Sequence, residues 1–174
     1  MKHEALLRAV GERYAGLASY RDHGRVRRPG EAAIVQFHTR FARPTGLHFE
    51  FTRAGRTESI SVPITDPDAL LDALAGPTGV SLGAAHTIPA LLLPAGNQDS
   101  WSLLQLKGVH LIAPPPGQAG AGRWSWLTGT GWGGQLMRVA VDPETLLIWR
   151  LEDDGVGEVR PHRTEYEPDA SAGG

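Results

Sequence analysis

No cysteine occurs in the 174-residue chain, which removes disulfides, thiolate nucleophiles and thiolate metal ligands and leaves the redox compartment open. Lysine is nearly as scarce: Lys2 and Lys107 stand alone, and arginine supplies the rest of the 17 basic residues. Nor is positive charge in excess, since 19 acidic residues bring the formal net charge to −2. A nucleic-acid-binding domain carries a more sustained basic footprint. The one basic cluster, Arg25, Arg27 and Arg28 with Arg40 and Arg43 nearby, reads as a solvated face. No apolar run reaches the ~18 residues that span a bilayer. The opening segment Met1–Leu7 also lacks the long apolar stretch of a signal peptide. The chain is therefore expected either to be cytoplasmic or to begin after a removed leader.

What is present is ordinary for a globular protein: 41% hydrophobic and 21% charged residues. The length suits one domain with a sizeable core. A single domain is expected over residues 1–166, followed by a small, polar, frayed tail over 167–174.

Periodicity divides the chain. Leu6, Val10, Tyr14 and Leu17 recur at helical spacing, so 3–17 reads as an amphipathic helix in which Gly11 is a weak point. Then the period becomes two. Val35, Phe37, Thr39 and Phe41 alternate with polar residues, as do Leu47, Phe49 and Phe51, and then Ile60, Val62 and Ile64. Short Gly/Pro turns separate these runs, the pattern of an antiparallel meander with one apolar face. Asp66-Pro67-Asp68 then offers a helix start, followed by Leu70, Leu71 and Leu74 and a stop at Gly76-Pro77. Residues 79–94 are small and apolar and read as further short helices. Strands return at 101–106, 108–113, 122–127, 135–141, 146–152 and 158–166.

Motifs that carry chemistry are sparse. Gly129 to Gly134 has the spacing G-x-G-x-x-G, but the strand pattern Leu136–Val141 follows it where a dinucleotide site needs a helix. It reads as a hairpin connection. No G-x-S-x-G elbow occurs. The acid pairs Asp66/Asp68, Asp142/Glu144 and Asp153/Asp154 fall in caps and turns, where carboxylates serve local hydrogen bonds. His38 and His48 lie on adjacent strands with the same polar parity. With Glu50 they form a candidate zinc site, or they are solvent-facing strand residues. Five tryptophans, at 101, 124, 126, 132 and 149, crowd the second half. Trp124 and Trp126 share a face, being two apart, which suits a core or a ligand cavity equally.

Three phrases carry a family resemblance. Tyr20-Arg21-Asp22-His23-Gly24 resembles the first strand of the LolA/LolB/RseB-like lipoprotein-carrier superfamily, with its Tyr-x-Asp-x-Gly pattern. Phe37–Pro44 followed by Leu47–Phe51 is similar to its second hairpin, and Val141–Arg150 to a hairpin near its C-terminus. The resemblance spans most of 3–166 and is greatest to periplasmic members without an established role. It implies an α+β, mainly antiparallel β fold: a strongly curved incomplete β-barrel with an N-terminal helix and short lid helices over a hydrophobic cavity. It also implies export, and binding of a lipid, acyl chain or lipidated partner.

The leading expectation is accordingly a non-enzymatic extracytoplasmic binding protein without a cofactor. Its candidate lining residues are Phe37, Phe41, Phe49, Phe51, Trp124, Trp126 and Leu136, with Leu74, Ile88, Leu91 and Leu92 from the lid. A regulatory or scaffold module that binds a protein partner is the alternative. A metal-dependent hydrolase using His38, His48 and Glu50 is the enzymatic one.

Overall fold

The structure is a computed structural model that describes residues 2–28, 32–43, 45–63, 82–93, 102–117, 120–155 and 161–169. The helical face found in the sequence forms α1 (Lys2–Ala15), which buries Leu7, Val10, Gly11 and Tyr14. Gly11 sits where the helix meets the turn at Leu103–Gln105: an added Cβ would lie 2.6 Å from Leu104 Cδ1. Its low helix propensity is the cost of that close approach.

Nine strands follow among the described residues: β1 (Ser19–Arg27), β2 (Ala33–Ala42), β3 (Gly46–Arg53), β4 (Arg56–Val62), β5 (Lys107–Ile112), β6 (Ser125–Thr130), β7 (Leu136–Val141), β8 (Ile148–Asp153) and β9 (His162–Pro168). They form one antiparallel sheet in the order β4-β3-β2-β1-β9-β8-β7-β6-β5. The first four strands and the last five are two meanders, zipped together where β1 meets β9. Among the described residues the sheet stays open, with β4 and β5 as its edges. An α2 helix (Leu82–Leu92) lies between β4 and β5 in the chain.

Turn chemistry explains the hairpins. Ala54 and Gly55 both take positive φ, 51° and 76°, the two-residue connection whose twist matches the flanking strands. In the β7–β8 connection Asp142 Oδ1 accepts from the Glu144 and Thr145 amides, at 2.8 and 3.3 Å. The glycine-rich stretch after Gly129 is a hairpin connection: Gly129 and Thr130 end β6, and Leu136 starts β7 opposite Thr130.

Three expected boundaries differ. Residues 121–123 form a 3-10 turn, so the strand expected over 122–127 lies instead at 125–130 as β6. Residues 103–105 form a single 3-10 turn capped by the Ser102 side chain rather than part of a strand, because the serine hydroxyl offers the Leu104 amide a partner that no neighbouring strand supplies. Strand β9 runs on to Pro168, with Glu167 opposite His23 on β1, so pairing reaches into the segment expected to fray.

Parity sorts the two faces. Inward positions on β1–β3 carry Tyr20, Val26, Val35, Phe37, Phe41, Leu47, Phe49 and Phe51, all buried in one cluster with α1 and the end of α2. The outward face is a charge lattice: Arg25 and Arg27 pair with Glu165, and Arg138 and Arg163 pair with Glu152. Each such pair is individually weak, but partners on neighbouring strands reinforce the register.

Candidate functional site

The inner face of the first meander is apolar and rich in aromatic rings. Phe37 stacks on Phe49 with ring centroids 5.4 Å apart, Phe49 approaches Phe51 at 5.9 Å, and Tyr166 meets the edge of Phe37 at 5.8 Å. Gly24 makes this possible. A Cβ there would fall 2.0 Å from Phe37 Cζ, so the ring occupies the place of a side chain on β1.

Above this face the C-terminal half of α2 buries Ile88, Ala90, Leu91 and Leu92 together with Thr87, and Leu93 just beyond the helix is buried too. The helix has no acidic residue in its first turn, no basic one in its last, and a proline, Pro89, inside it. A proline has no amide to donate to the turn before it, so the helix is weakened there. One charged side chain ties it down. Arg43 donates to the carbonyl oxygen of Leu92 at 3.2 Å, to that of Tyr14 at 3.2 Å and to that of Ala15, and its guanidinium lies 5.2 Å from the Phe41 ring. One guanidinium thus clasps the C-terminal ends of both helices, where carbonyls lack intrahelical donors.

A small polar seam interrupts the apolar surface. The Tyr20 hydroxyl donates to Asp22 Oδ2 at 2.7 Å, and the Ile148 amide donates to the Tyr14 hydroxyl at 2.9 Å. Asp22 is fully buried, and loss of water pushes its carboxyl up to about 6. Burial likewise raises the Tyr14, Tyr20 and Tyr166 phenols above their ordinary range.

The sequence-derived lining residues separate into groups. Phe37, Phe41, Phe49, Phe51, Ile88, Leu91 and Leu92 belong to one buried cluster. Trp124 and Trp126 belong to another, with Ala140, Ile112 and Trp149. The β6 residue beside Trp126, Leu127, points inward to the main cluster, so Trp126 points outward. A bulge places Trp149 there as well: Ala140 pairs with Arg150 and Val141 with Ile148, leaving Trp149 as the extra residue. Trp149 stacks on Trp124 at 5.8 Å, and Arg150 lies 4.8 Å from the Trp124 ring. Leu136 is 40% exposed on the same outward parity as Arg138. Leu74 lies outside the described residues, as does the helix expected to start at Asp66.

The polar candidates are also rearranged. Glu50 stands opposite His38, and Arg40 stands opposite His48. The ring partner of His38 is His23, 4.4 Å away, while His48 Nδ1 is bonded to Ser61 Oγ at 2.7 Å. Among the described residues no group of three or more histidine and carboxylate side chains is placed to hold a metal ion.

Sequence reasoning passed over Asp22 and Arg43 as site residues. Asp22 carried a signal: its parity with Tyr20, Gly24 and Val26 places a carboxylate on the inward face. Arg43 carried none, because its role is set by two helix ends far away in the sequence.

No protein-family model matches the chain, and no curated protein matches it. Among solved structures it is similar to MucB of Pseudomonas aeruginosa, solved in complex with MucA, with 14% identity and a TM-score of 0.48 over 99% of this chain and 58% of that one. The lipoprotein LppX of Mycobacterium tuberculosis is similar at 10% identity and a TM-score of 0.47, covering 95% of this chain and 93% of that one. LprF from Mycobacterium bovis has 9% identity and a TM-score of 0.45, covering 99% and 93%. The chain thus spans less than two thirds of the MucB chain. No helix among the described residues is long and apolar enough to cross a membrane.

Proposed function

We propose that this is a non-enzymatic binding protein whose inner apolar face takes a lipid, an acyl chain or a lipidated partner. The carrying observation is the phenylalanine surface of Phe37, Phe41, Phe49 and Phe51, closed by an apolar, proline-weakened helix that one arginine holds down. Lifting α2 would expose Ile88, Leu91 and Leu92 together with those rings, and an acyl chain would then take the helix's place against the phenylalanines. Each phenylalanine or leucine moved out of water contributes roughly 1.5–3 kcal/mol, so a chain touching several needs few polar contacts. Trp124, Trp126 and Leu136 have no part in this lining, since they face the other side of the sheet. Residence outside the cytoplasm belongs to the same reading and rests on the sequence resemblance.

Native mass spectrometry of gently purified protein, followed by organic extraction, tests the proposal. One fatty acid or phospholipid per chain is expected, together with saturable binding of a dansyl-labelled fatty acid that Phe49→Gln weakens in a folded variant. A folded protein that carries no lipid and binds no probe, even with Arg43→Ala freeing α2, overturns it.

A protein partner is the second reading. Its support is β5, an edge strand of the open sheet with Leu111 49% exposed. An edge strand offers unpaired backbone donors and acceptors to a peptide that adds to the sheet. Protection of the β5 amides from hydrogen exchange only in the presence of a captured partner distinguishes this mode from lipid uptake.

A further inference from the structure

The outward face of the sheet balances its arginines with one exception. Arg25, Arg27, Arg138, Arg150 and Arg163 each have a carboxylate at 2.6–3.9 Å, on a neighbouring strand or close by in the chain. Arg21 and Arg40 do not. They stand directly opposite each other on β1 and β2, both exposed, and neither makes an ion pair among the described residues. Like charges in directly opposed positions repel and destabilise the pairing. Glu50, Glu167 and Asp169 border an adjoining depression with the two arginines, and the Asp169 amide donates to the Arg21 carbonyl oxygen at 2.9 Å; neither Glu50 nor Glu167 forms an ion pair with Arg21 or Arg40.

The same cross-strand row continues through His48 on β3 to Ser61 on β4. These four residues, with Ser19 and Thr45, line a depression of about 690 Å³. His48 Nδ1 is engaged by Ser61 Oγ at 2.7 Å. When that hydroxyl donates, the imidazole proton sits on Nε2 and becomes another donor for an anion. Two guanidinium forks and an imidazole N–H therefore meet in one hollow that no carboxylate lines. We propose that this hollow is a binding site for a phosphate-type oxyanion, held by Arg21 and Arg40 with His48 in support. Paired guanidiniums suit such an anion because each presents parallel N–H donors to two oxygens. The bound charge also relieves the Arg21–Arg40 repulsion. The site lies on the face opposite the phenylalanine surface and does not depend on the apolar binding reading.

Two sources share this chemistry, a free phosphoryl compound and an anionic lipid headgroup, and the test separates them. Inorganic phosphate is titrated at low ionic strength against isotope-labelled protein, following the backbone and arginine side-chain resonances. Saturable shifts at Arg21, Arg40 and His48 are expected, with a dissociation constant on the order of 1 mM or tighter. The double variant Arg21→Gln, Arg40→Gln should weaken binding by roughly tenfold or more, while Arg25→Gln leaves it within about twofold. In parallel, the protein is sedimented with phosphatidylglycerol and with phosphatidylcholine vesicles. Preference for phosphatidylglycerol that the double variant abolishes assigns the site to headgroups; phosphate saturation without that preference assigns it to a soluble compound. Absence of both overturns the proposal, as does binding that the double variant leaves unchanged or that Arg25→Gln weakens equally.

Discussion

Asp22 provides a stability experiment whose sign is set by its burial. Its carboxyl rises from 3.8 to about 6 on folding, chiefly through loss of water, with Thr39 and then the Tyr20 hydroxyl opposing the rise only in part. A group that holds its proton more tightly in the native state favours folding while protonated. Its effect is therefore absent below pH ~4, where folded and unfolded chains are both protonated. As pH climbs from ~4 through ~6 the unfolded chain ionises first, and stability falls. Above pH ~6 the loss is complete, about 3 kcal/mol for a displacement of about two units. Asp22→Asn keeps an acceptor for Tyr20 and cannot ionise. Urea unfolding of both proteins at pH 4 and pH 7.5 isolates the effect, because the other titrating groups cancel in the comparison. The variant should gain about 2–2.5 kcal/mol relative to the natural protein between those two pH values, since the unfolded carboxyl is already partly ionised at pH 4. With a urea slope of ~2 kcal/mol per molar, that is a relative midpoint shift of roughly 1 M. A difference that stays flat within about 1 kcal/mol, or that runs the other way, refutes the argument that Asp22 is buried without compensating charge.

Other perturbations probe the clasp and the packing. Arg43→Ala removes donors from the C-terminal carbonyls of α1 and α2; a loss of about 2–3 kcal/mol is expected, with faster amide exchange in 82–92, and unchanged exchange there would deny the clasp. Gly24→Ala drives a methyl into Phe37 and should cost at least about 2 kcal/mol; recovery in Gly24→Ala with Phe37→Leu identifies the clash as the cause. Tyr14→Phe leaves the Ile148 amide without its acceptor, for a loss of about 1–2 kcal/mol by thermal or urea melting, and a neutral result would mean that water reaches that amide. Trp126→Ala should cost about 3–5 kcal/mol by opening the outward cluster, while leaving binding of an acyl probe on the opposite face unaltered once the protein is folded.

Much of the architecture was legible because it is local. Alternation in Val35–Phe41 and Leu47–Phe51 marks two strands without reference to anything distant, and the short Ala54-Gly55 connection dictates that β3 and β4 pair. The recurrence of Leu6, Val10, Tyr14 and Leu17 at helical spacing does the same for α1. Errors came where one side chain redirected the backbone, as the Ser102 hydroxyl did in making a turn at 103–105.

The sequence by itself determined which residues alternate, which helices are apolar, and that disulfide and thiol chemistry is excluded. Only the tertiary structure decided which residues meet. His38 and His48 share a parity, but register depends on where the β2–β3 loop closes. With Ala42 opposite Gly46, His38 faces Glu50 and His48 faces Arg40. Trp124 and Phe37 are both large buried aromatics in strand-rich segments, yet they lie on opposite sides of one sheet, because parity counted within a strand does not reveal which side the helices cover. The Arg43 clasp and the Arg21–Arg40 opposition each join residues that are remote in the chain. Their energies arise from distances of a few ångströms, which local patterning does not encode and only the register of the assembled strands and helices supplies.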